Sequence, residues 1–284
     1  MKLATIINDG RHTLAIVRDG RVHPVTGGAE GPASLMAVVA DQDRWLPWLE
    51  GLLGSTGACL ALADVRLATP LPHPGKVVAV GLNYADHASE GNVSLPAEPL
   101  LFAKFPSSII GPGEAITWDP GLTDAVDYEA ELAVVIGRRA RNVSLAEALD
   151  HVFGYTCLND VSARDLQFRD GQWVRGKSLD TFCPIGPWIV TADEIPDPGA
   201  LRIECEVSGE VLQAASTADL IFDVAQLVSY ISHSFSLEPG DVIATGTPPG
   251  VGYFRDPQRL LGDGDEVVVR IERIGELRNP VRLP

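Results

Sequence analysis

Two glutamates separated by a single residue are the first candidates for chemistry in this chain. Glu129 and Glu131 lie at the start of an apolar, valine-rich run, residues 132–136, which is typical of a buried β-strand. Because side chains on a strand alternate, both carboxylates would lie on one face, roughly 7 Å apart at their roots. Two like charges beside an apolar segment stay ionised only where water, a basic group or a cation compensates them. A divalent-cation site is one interpretation, and a solvated strand end is the other.

A third carboxylate follows a second apolar run. Asp160 comes two residues after the run 155–158, so it would lie at the end of a neighbouring strand. Three carboxylates and water molecules suit an octahedral hard cation such as Mg²⁺ or Mn²⁺. Asp127 competes for the third place because it shares the face of Glu129. It precedes the apolar run, however, where a solvated turn residue is expected.

A histidine and a glutamate three residues apart form a second group. On a helical turn, His87 and Glu90 would face the same side and could hydrogen-bond. A carboxylate fixes the imidazole tautomer and raises its basicity, which is what a general base for water needs near neutral pH. A surface pair is the alternative. The Asn83-Tyr84 turn after an apolar run favours a site, because loops at strand ends often carry function.

Positive residues are concentrated in one segment of this acidic chain. Arg164, Arg169, Arg175 and Lys177 lie within fourteen positions. A lysine close to a metal could bind a substrate carboxylate or protonate a developing carbanion. The Gly-Lys-Ser step at residues 176–178 is similar to the end of a phosphate-binding loop, but no strand-to-helix context supports it, so nucleotide binding is rejected.

A glycine-rich turn follows the apolar run at residues 242–244. Its glycines would let a substrate approach the backbone closely, and Thr247 offers a hydroxyl and an amide donor. A rigid turn without a binding role is the alternative.

Composition narrows the class of protein. The formal net charge of −16 over 284 residues argues against nucleic acid or an anionic membrane as a partner. The apolar start of the chain is interrupted at residues 8–10, before a signal-peptide core or a membrane span is complete, so we expect a cytoplasmic protein. The four cysteines are far apart and form no C-x-x-C pair, so we expect most of them to be buried thiols.

The chain divides at a proline-rich stretch, residues 70–75, through which neither a helix nor a central strand could continue. Residues 1–70 are predicted to form a small α+β domain, and residues 71–284 the main domain. Glycine and proline punctuate short apolar runs in the main domain, without a regular alternation of strands and helices. We therefore expect an α+β, mostly β protein whose main domain is a mixed β-roll or sandwich.

Local patterns place individual elements. Strands are predicted at residues 2–7, 13–17, 22–25, 76–80, 115–118, 132–136, 155–158, 188–191, 201–207, 242–245 and 267–272. Short helices are predicted at residues 34–39 and 45–53, and a tight hairpin at Ser208-Gly209. Ser144 and Glu147 have capping-box spacing for a helix over residues 145–152. Asp219 is predicted to cap a helix with an apolar stripe over residues 221–231.

Five segments, taken in order, strongly resemble motifs of the fumarylacetoacetate hydrolase family. They are residues 81–90 (GLNYADHASE), 128–132 (YEAEL), 159–165 (NDVSARD), 175–178 (RGKS) and 245–252 (TGTPPGVG). Five blocks spread over residues 76–284 are far more specific than any one of them. The resemblance implies the family's β-roll catalytic domain and a homodimer, and residues 1–70 are similar to the small N-terminal domain of its longer members.

The resemblance also implies roles, position by position. The implied metal ligands are Glu129, Glu131 and Asp160. The implied catalytic residues are His87, Glu90 and Lys177. The implied substrate-binding residues are Gln167, Thr247 and Arg164, of which Arg164 either contacts the substrate or supports the site.

The activity implied by the resemblance is Mg²⁺- or Mn²⁺-dependent hydrolysis of a carbon–carbon bond in a catabolic 1,3-dicarbonyl 2-oxo acid. Candidate substrates are an acylpyruvate, fumarylpyruvate or a 2,4-dioxo sugar acid, with His87, oriented by Glu90, deprotonating the attacking water. The alternative is decarboxylation, isomerisation or hydration of oxaloacetate or a 2-hydroxymuconate-type diacid. A non-enzymatic, metal-dependent ligand-binding protein is a third possibility. The intact His87/Glu90 pair argues against it, because binding alone needs no general base.

Overall fold

The computed structural model describes residues 1–25, 30–53, 59–91 and 94–284, and it is built around one large mixed β-sheet. Its strands are β1 Lys2–Asn8, β2 Arg11–Arg18, β3 Arg21–Pro24, β4 Leu60–Ala61, β5 Arg66–Ala68, β6 Val77–Gly81, β7 Leu100–Lys104, β8 Ile109–Ile110, β9 Val126–Asp127, β10 Ala130–Ile136, β11 Val152–Asn159, β12 Ser162–Ala163, β13 Cys183–Thr191, β14 Arg202–Val207, β15 Glu210–Ser216, β16 Val242–Ala244, β17 Glu266–Ile271 and β18 Gly275–Pro280.

Helices are fewer and mostly short. The α-helices are α1 Leu35–Ala40, α2 Gln42–Leu53, α3 Ala85–Glu90, α4 Arg164–Asp170, α5 Val174–Lys177 and α6 Val224–Ser234. The 3₁₀ helices are Leu62–Asp64, Pro106–Ser108, Leu145–His151, Ala192–Glu194, Thr217–Asp219 and Gly252–Phe254. The predicted α+β, mostly β fold class is therefore confirmed. None of the helices in the described ranges is long and apolar enough to cross a membrane.

The large sheet has the strand order β4-β3-β2-β1-β13-β11-β10-β16-β6-β7, and β5 and β8 pair with β1 and β13. Its central pairs β11–β10 and β10–β16 are antiparallel, whereas β16 and β6 are parallel. A four-stranded sheet, β15-β14-β17-β18, packs against β10, β11 and β13. A third, two-stranded sheet joins β9 to β12. This arrangement places β10 at the centre of the molecule.

Strand β10 is buried on both faces, which explains its nearly continuous apolar sequence. Leu132 and Val134 belong to the core that includes Val269 of the four-stranded sheet. Ala133 and Val135 belong to a second core, on the opposite face, to which α1 and α2 contribute. Burying each large aliphatic side chain stabilises the fold by about 1.5–3 kcal/mol. The carboxylates at the start of β10 are therefore attached to a rigid support.

The first 70 residues extend the large sheet. β1 pairs with β13 in an antiparallel register that sets Lys2 opposite Val190 and Leu3 opposite Ile189. The segment contains β1 to β5 together with α1 and α2, but its strands share the sheet with the rest of the chain. The division into domains near residue 70 stays a prediction.

Three local predictions were wrong. Residues 115–118 form only an isolated bridge between Ile116 and Val281. A helix lies at residues 145–151, but it is a 3₁₀ helix, and the predicted capping box is absent: the Ser144 hydroxyl donates to the Glu147 carboxylate at 2.6 Å and does not cap the backbone. Asp219 belongs to the preceding 3₁₀ turn, and Asp223 caps α6.

Most cysteines are buried, as predicted. Cys157, Cys183 and Cys205 lie in buried strands, whereas Cys59 is partly exposed, and all four thiols are free. Burial raises the pKa of the Cys183 thiol to about 12. The buried thiols are therefore protonated and pack as small apolar groups.

Candidate active site

Three carboxylates meet where β10 and β11 lie side by side. Glu129 directly precedes β10, Glu131 is the second residue of that strand, and Asp160 directly follows β11. The antiparallel register sets Ala130 opposite Asn159. The Asp160 N–H therefore donates to the Glu129 carbonyl at 2.9 Å. One oxygen from each of the three carboxylates lies within 4.8 Å of the other two.

All three carboxylates are buried. Glu129 is 4%, Glu131 1% and Asp160 0% exposed. The interpretation as a solvated strand end does not fit this structure, because ionised carboxylates at such depth need compensating charge.

Cations contact two of the three carboxylates. The Lys177 ammonium lies 2.7 Å from Glu129 and 2.8 Å from Asp160. Arg164 lies 2.6 Å from the second oxygen of Glu129, and Lys104 lies 2.6 Å from the second oxygen of Asp160. Glu131 forms no ion pair with any described residue. Its carboxylate accepts a hydrogen bond from the Gly246 N–H at 2.8 Å.

The unequal distribution of cations shifts the pKa values of the two glutamates in opposite directions. Burial alone would raise the pKa of Glu129, but Lys177 and Arg164 outweigh it and lower that pKa to about 2. Burial raises the pKa of Glu131 well above its ordinary value, and the negative charges of Asp160 and Glu129 raise it further. The cluster therefore has one carboxylate whose charge is uncompensated.

This set of donors fits a divalent cation. Three carboxylate oxygens converge, and hard oxygen ligands are those that Mg²⁺ and Mn²⁺ prefer. A cation beside Glu131 would supply the charge that the protein itself does not place there. Each oxygen of Glu129 and Asp160 already contacts a protein cation, so a bound ion would share these carboxylates with Lys177, Arg164 and Lys104.

Asp127, the competitor for the third place, has a different position. One of its oxygens accepts from the Arg164 Nε–H at 2.9 Å and from the Tyr253 N–H at 3.0 Å. The other accepts from the Gly252 N–H at 2.8 Å. Asp127 therefore links Arg164 to the turn that follows the glycine-rich segment, and Asp160 takes the third place in the cluster.

The predicted dyad forms on α3. The His87 Nδ1 lies 3.2 Å from one oxygen of Glu90, as the three-residue spacing requires. The other oxygen of Glu90 accepts from the Gly250 N–H at 2.7 Å, which ties the helix to the glycine-rich turn. Asn83, just before α3, bonds both the Thr245 carbonyl and the Phe222 backbone. The dyad is thus held against the end of β16.

A cavity of about 190 Å³ joins the dyad to the carboxylate cluster. Its polar lining includes His87, Glu129, Glu131, Arg164, Gln167, Lys177 and Thr247. Its aromatic lining includes Phe102, Phe168, Trp173 and Phe254. Of the residues predicted from sequence, only Asp160 and Glu90 lie outside this lining, and each contacts a residue within it. A larger cleft of about 530 Å³, beside Met1 and Trp188, has no cluster of three carboxylates among its described residues.

The sequence analysis missed two buried polar residues of the site. Lys104, at the end of β7, contacts Asp160 and donates to the carbonyls of Val161 and Lys177. A single lysine inside the apolar run LLFAKF is a signal that could have identified it. Gln213, in β15, bonds the Thr247 hydroxyl, and nothing in its local sequence indicates this.

Comparison with known proteins identifies the family of this chain. The family model described as "Fumarylacetoacetate (FAA) hydrolase C-terminal" matches residues 76–282. The oxaloacetate tautomerase FAHD2A, mitochondrial, of Bos taurus is 44% identical over 252 residues, covering 88% of this chain and 80% of that protein.

Solved structures match the whole chain. Fumarylacetoacetate hydrolase from Exiguobacterium antarcticum is 41% identical with a TM-score of 0.87, covering 100% of both chains. Maleylpyruvate hydrolase from Sphingobium sp. SYK-6, in complex with manganese(II) and pyruvate, is 33% identical with a TM-score of 0.84, covering 100% of this chain and 99% of that one. All five segments that resemble the family's motifs lie inside the region that the family model matches. The chain therefore belongs to the fumarylacetoacetate hydrolase family.

Proposed function

We propose that this protein is a metal-dependent enzyme that interconverts the keto and enol forms of a short 2-oxo diacid of the oxaloacetate type. The observation that carries the proposal is that one small cavity is lined both by His87 of the histidine–glutamate dyad and by Glu129 and Glu131 of the buried carboxylate cluster. A volume of about 190 Å³ lies below the roughly 300–1,000 Å³ of sites for drug-sized ligands, which favours a small substrate. The similarity to a protein named oxaloacetate tautomerase supports the same substrate class.

The cation would be held by Glu129, Glu131 and Asp160. We propose Mg²⁺, with Mn²⁺ as the alternative, because both are hard ions that prefer carboxylate and water oxygens. A divalent ion at this position would act as a Lewis acid that polarises the carbonyl of the 2-oxo acid.

His87 would move the proton. Because Glu90 accepts from Nδ1–H, the lone pair of the imidazole lies on Nε2, and the ring lines the cavity. His87 would take a proton from the carbon beside the carbonyl, so that the electron pair of that C–H bond forms the C=C bond and the carbonyl electron pair moves to oxygen. Return of the same proton to that oxygen gives the enol, and the exchange is balanced without a further reactant. General catalysis of this kind contributes typically 10²–10⁴-fold.

Cationic and polar groups would orient the anionic substrate. Gln167 and Thr247 line the cavity and offer hydrogen bonds to substrate oxygens. The nearby charges of Asp160 and Glu129 outweigh burial and raise the pKa of Lys177, so its ammonium stays charged and can stabilise negative charge that develops on the substrate. Arg164 is held by Asp127 and Glu129, so we propose that it chiefly supports the site. Any N–H group of its guanidinium that these carboxylates leave unpaired would contact the substrate.

Hydrolysis of a carbon–carbon bond in a 1,3-dicarbonyl 2-oxo acid is the second candidate. The same dyad could deprotonate water in place of a substrate carbon, and the similarity to maleylpyruvate hydrolase favours this activity. Decarboxylation or hydration would use the same groups. The dyad argues against a purely ligand-binding protein, since binding needs no general base.

A substrate panel separates these activities. The protein is incubated with Mg²⁺ or with EDTA and with oxaloacetate, an acylpyruvate, fumarylpyruvate, a 2-hydroxymuconate-type diacid or a 2,4-dioxo sugar acid, and the products are identified by mass spectrometry and ultraviolet absorbance. We expect metal-dependent loss of the enol absorbance of oxaloacetate without a change in mass. Cleavage products from an acylpyruvate, with no acceleration for oxaloacetate, would overturn the first proposal and support the second.

Two further expectations remain proposals. The homodimer was implied by the family resemblance, and light scattering would test it. The cytoplasmic location stays a prediction, and the bovine relative is named as mitochondrial.

A further inference from the structure

We propose that Gln213 is a positioning residue that fixes the Thr247 hydroxyl as a hydrogen-bond donor to the substrate. Gln213 lies in β15, in the four-stranded sheet, and is 1% exposed. The inference rests on the proposed function, because it assumes that Thr247 contacts a 2-oxo acid in the cavity. If the inference is correct, a side chain of the four-stranded sheet helps to orient a substrate-binding group.

Hydrogen bonds to two backbone groups determine the orientation of the Gln213 side-chain amide. Its Oε1 accepts from the Ala130 N–H at 2.9 Å, so this side of the amide must be the oxygen. Its Nε2 donates to the Pro248 carbonyl at 2.8 Å, and a carbonyl can only accept. The orientation of the amide therefore follows from two backbone groups, one at each end.

This orientation determines the direction of the next hydrogen bond. The same Nε2 lies 2.8 Å from the Thr247 Oγ1 and donates to it. The threonine hydroxyl has one proton and two acceptor lone pairs, and Gln213 occupies one of those lone pairs, so the proton must point away from Gln213. In the described part of the chain no group accepts the hydroxyl proton. Thr247 lines the cavity, so its proton is available to a ligand there.

A donor aimed into this cavity favours a particular ligand chemistry. The hydroxyl proton would bind a carboxylate or carbonyl oxygen of a 2-oxo acid. Without Gln213 nothing would hold the hydroxyl in this orientation, and the Pro248 carbonyl would lose its own donor. Gln213 thus acts through Thr247 and makes no contact with the substrate.

A double-mutant cycle tests this coupling. Pyruvate is the probe, and its affinity is measured by calorimetry with the Mn²⁺-loaded wild type, Thr247→Val, Thr247→Ser, Gln213→Met and the Gln213→Met/Thr247→Val double variant. Mn²⁺ affinity is measured separately for each protein. This matters because Gln213 also bonds the backbone of Ala130, which lies between two proposed metal ligands.

We expect Thr247→Val to weaken pyruvate binding roughly tenfold or more, as for loss of a hydrogen bond to a charged group, and Thr247→Ser to retain most of the affinity. Gln213→Met should weaken binding in the wild-type background and have no further effect in the Thr247→Val background. An equal loss in both backgrounds would show a merely structural role for Gln213, and no loss in either would also overturn the inference. If the wild type binds neither pyruvate nor oxaloacetate, both the inference and the proposed function fail. If the wild type binds but shows no coupling, only the inference fails.

Discussion

Replacing Glu131 with glutamine should stabilise the metal-free protein and destabilise the metal-loaded protein relative to the wild type. The carboxylate is buried, has no ion pair with a described residue, and faces the negative charges of Asp160 and Glu129. Glutamine keeps the shape and removes the charge. The variant therefore loses a repulsion in the absence of metal and a ligand in its presence.

The direction of the pKa shift determines how the stability of the metal-free protein changes with pH. Because the folded-state pKa of Glu131 is raised, the folded protein holds the proton more tightly than the unfolded chain. The wild type should therefore lose stability as the pH rises from the ordinary pKa of about 4.5 towards the raised value. The slope would be up to about 1.4 kcal/mol per pH unit for one proton. Glu131→Gln should lack this component of the slope.

Metal should reverse the order of stability. A ligand at a hundred times its Kd stabilises the folded state by about 2.7 kcal/mol. The wild type should gain this amount from Mg²⁺. Glu131→Gln, with one anionic ligand fewer, should gain much less at the same concentration.

Glu129→Gln is the matched control, since the structure predicts that this substitution destabilises the metal-free protein. The pKa of Glu129 is lowered from 4.5 to about 2, so its charge stabilises the folded state above pH 4.5, and that contribution is lost as the pH falls towards 2. Neutralising it at pH 7 should cost on the order of 3 kcal/mol. The substitution would also leave Lys177 and Arg164 partly uncompensated.

The assay is urea unfolding of the wild type and both variants at pH 5, 6 and 7, in EDTA and in Mg²⁺, with Mg²⁺ affinity measured by calorimetry. A metal-free Glu131→Gln protein that is as destabilised as Glu129→Gln would refute the reasoning about uncompensated charge. Unchanged Mg²⁺ affinity in Glu131→Gln would refute its role as a ligand.

Two other substitutions test the remaining parts of the site. His87→Ala should reduce turnover by 10²–10⁴-fold while pyruvate and Mn²⁺ affinities by calorimetry stay near those of the wild type; retained turnover would require another base. Lys104→Met should weaken the fixed position of Asp160 and lower Mn²⁺ affinity, because it removes a buried cation 2.6 Å from that carboxylate. Asp43→Asn, which breaks an exposed ion pair with Arg138, is its control and should leave that affinity unchanged. An unaltered affinity in Lys104→Met would mean that Lys177 alone holds Asp160.

Short-range patterns predicted the two strands that carry the carboxylates. The period of two placed Glu129 and Glu131 on one face, and the apolar runs around them became β10 and β11. The three-residue spacing of His87 and Glu90 predicted their contact on α3. These features depend on residues close together in the chain, so the sequence contains the information directly.

Pairings between distant residues could not be predicted in the same way. Nothing near Lys2 indicates that it lies opposite Val190, and this pairing is what joins the first 70 residues to the large sheet. Gln213 meets Thr247 only because two sheets pack together. A sequence pattern gives no register between sheets.

Local signals also competed with one another. Two capping boxes follow each other closely in this segment. Ser216 and Asp219 form the first, which begins a 3₁₀ turn, and Asp223 and Gln226 form the second, which begins α6. Helix α4 begins at Arg164 after Ala163, which provides no side-chain cap, so its start carries no sequence signal. Its position follows from packing beside the site rather than from its own termini.

The most direct test of the proposed function is the rate at which the protein exchanges deuterium into carbon 3 of oxaloacetate in D₂O, followed by NMR. This measures proton transfer at carbon without requiring any bond between carbons to break. We predict that the wild type with Mg²⁺ accelerates exchange above the uncatalysed rate, and that EDTA and His87→Ala each remove the acceleration. Exchange at the uncatalysed rate in the presence of Mg²⁺, by a protein that binds the ion, would contradict the proposed proton transfer.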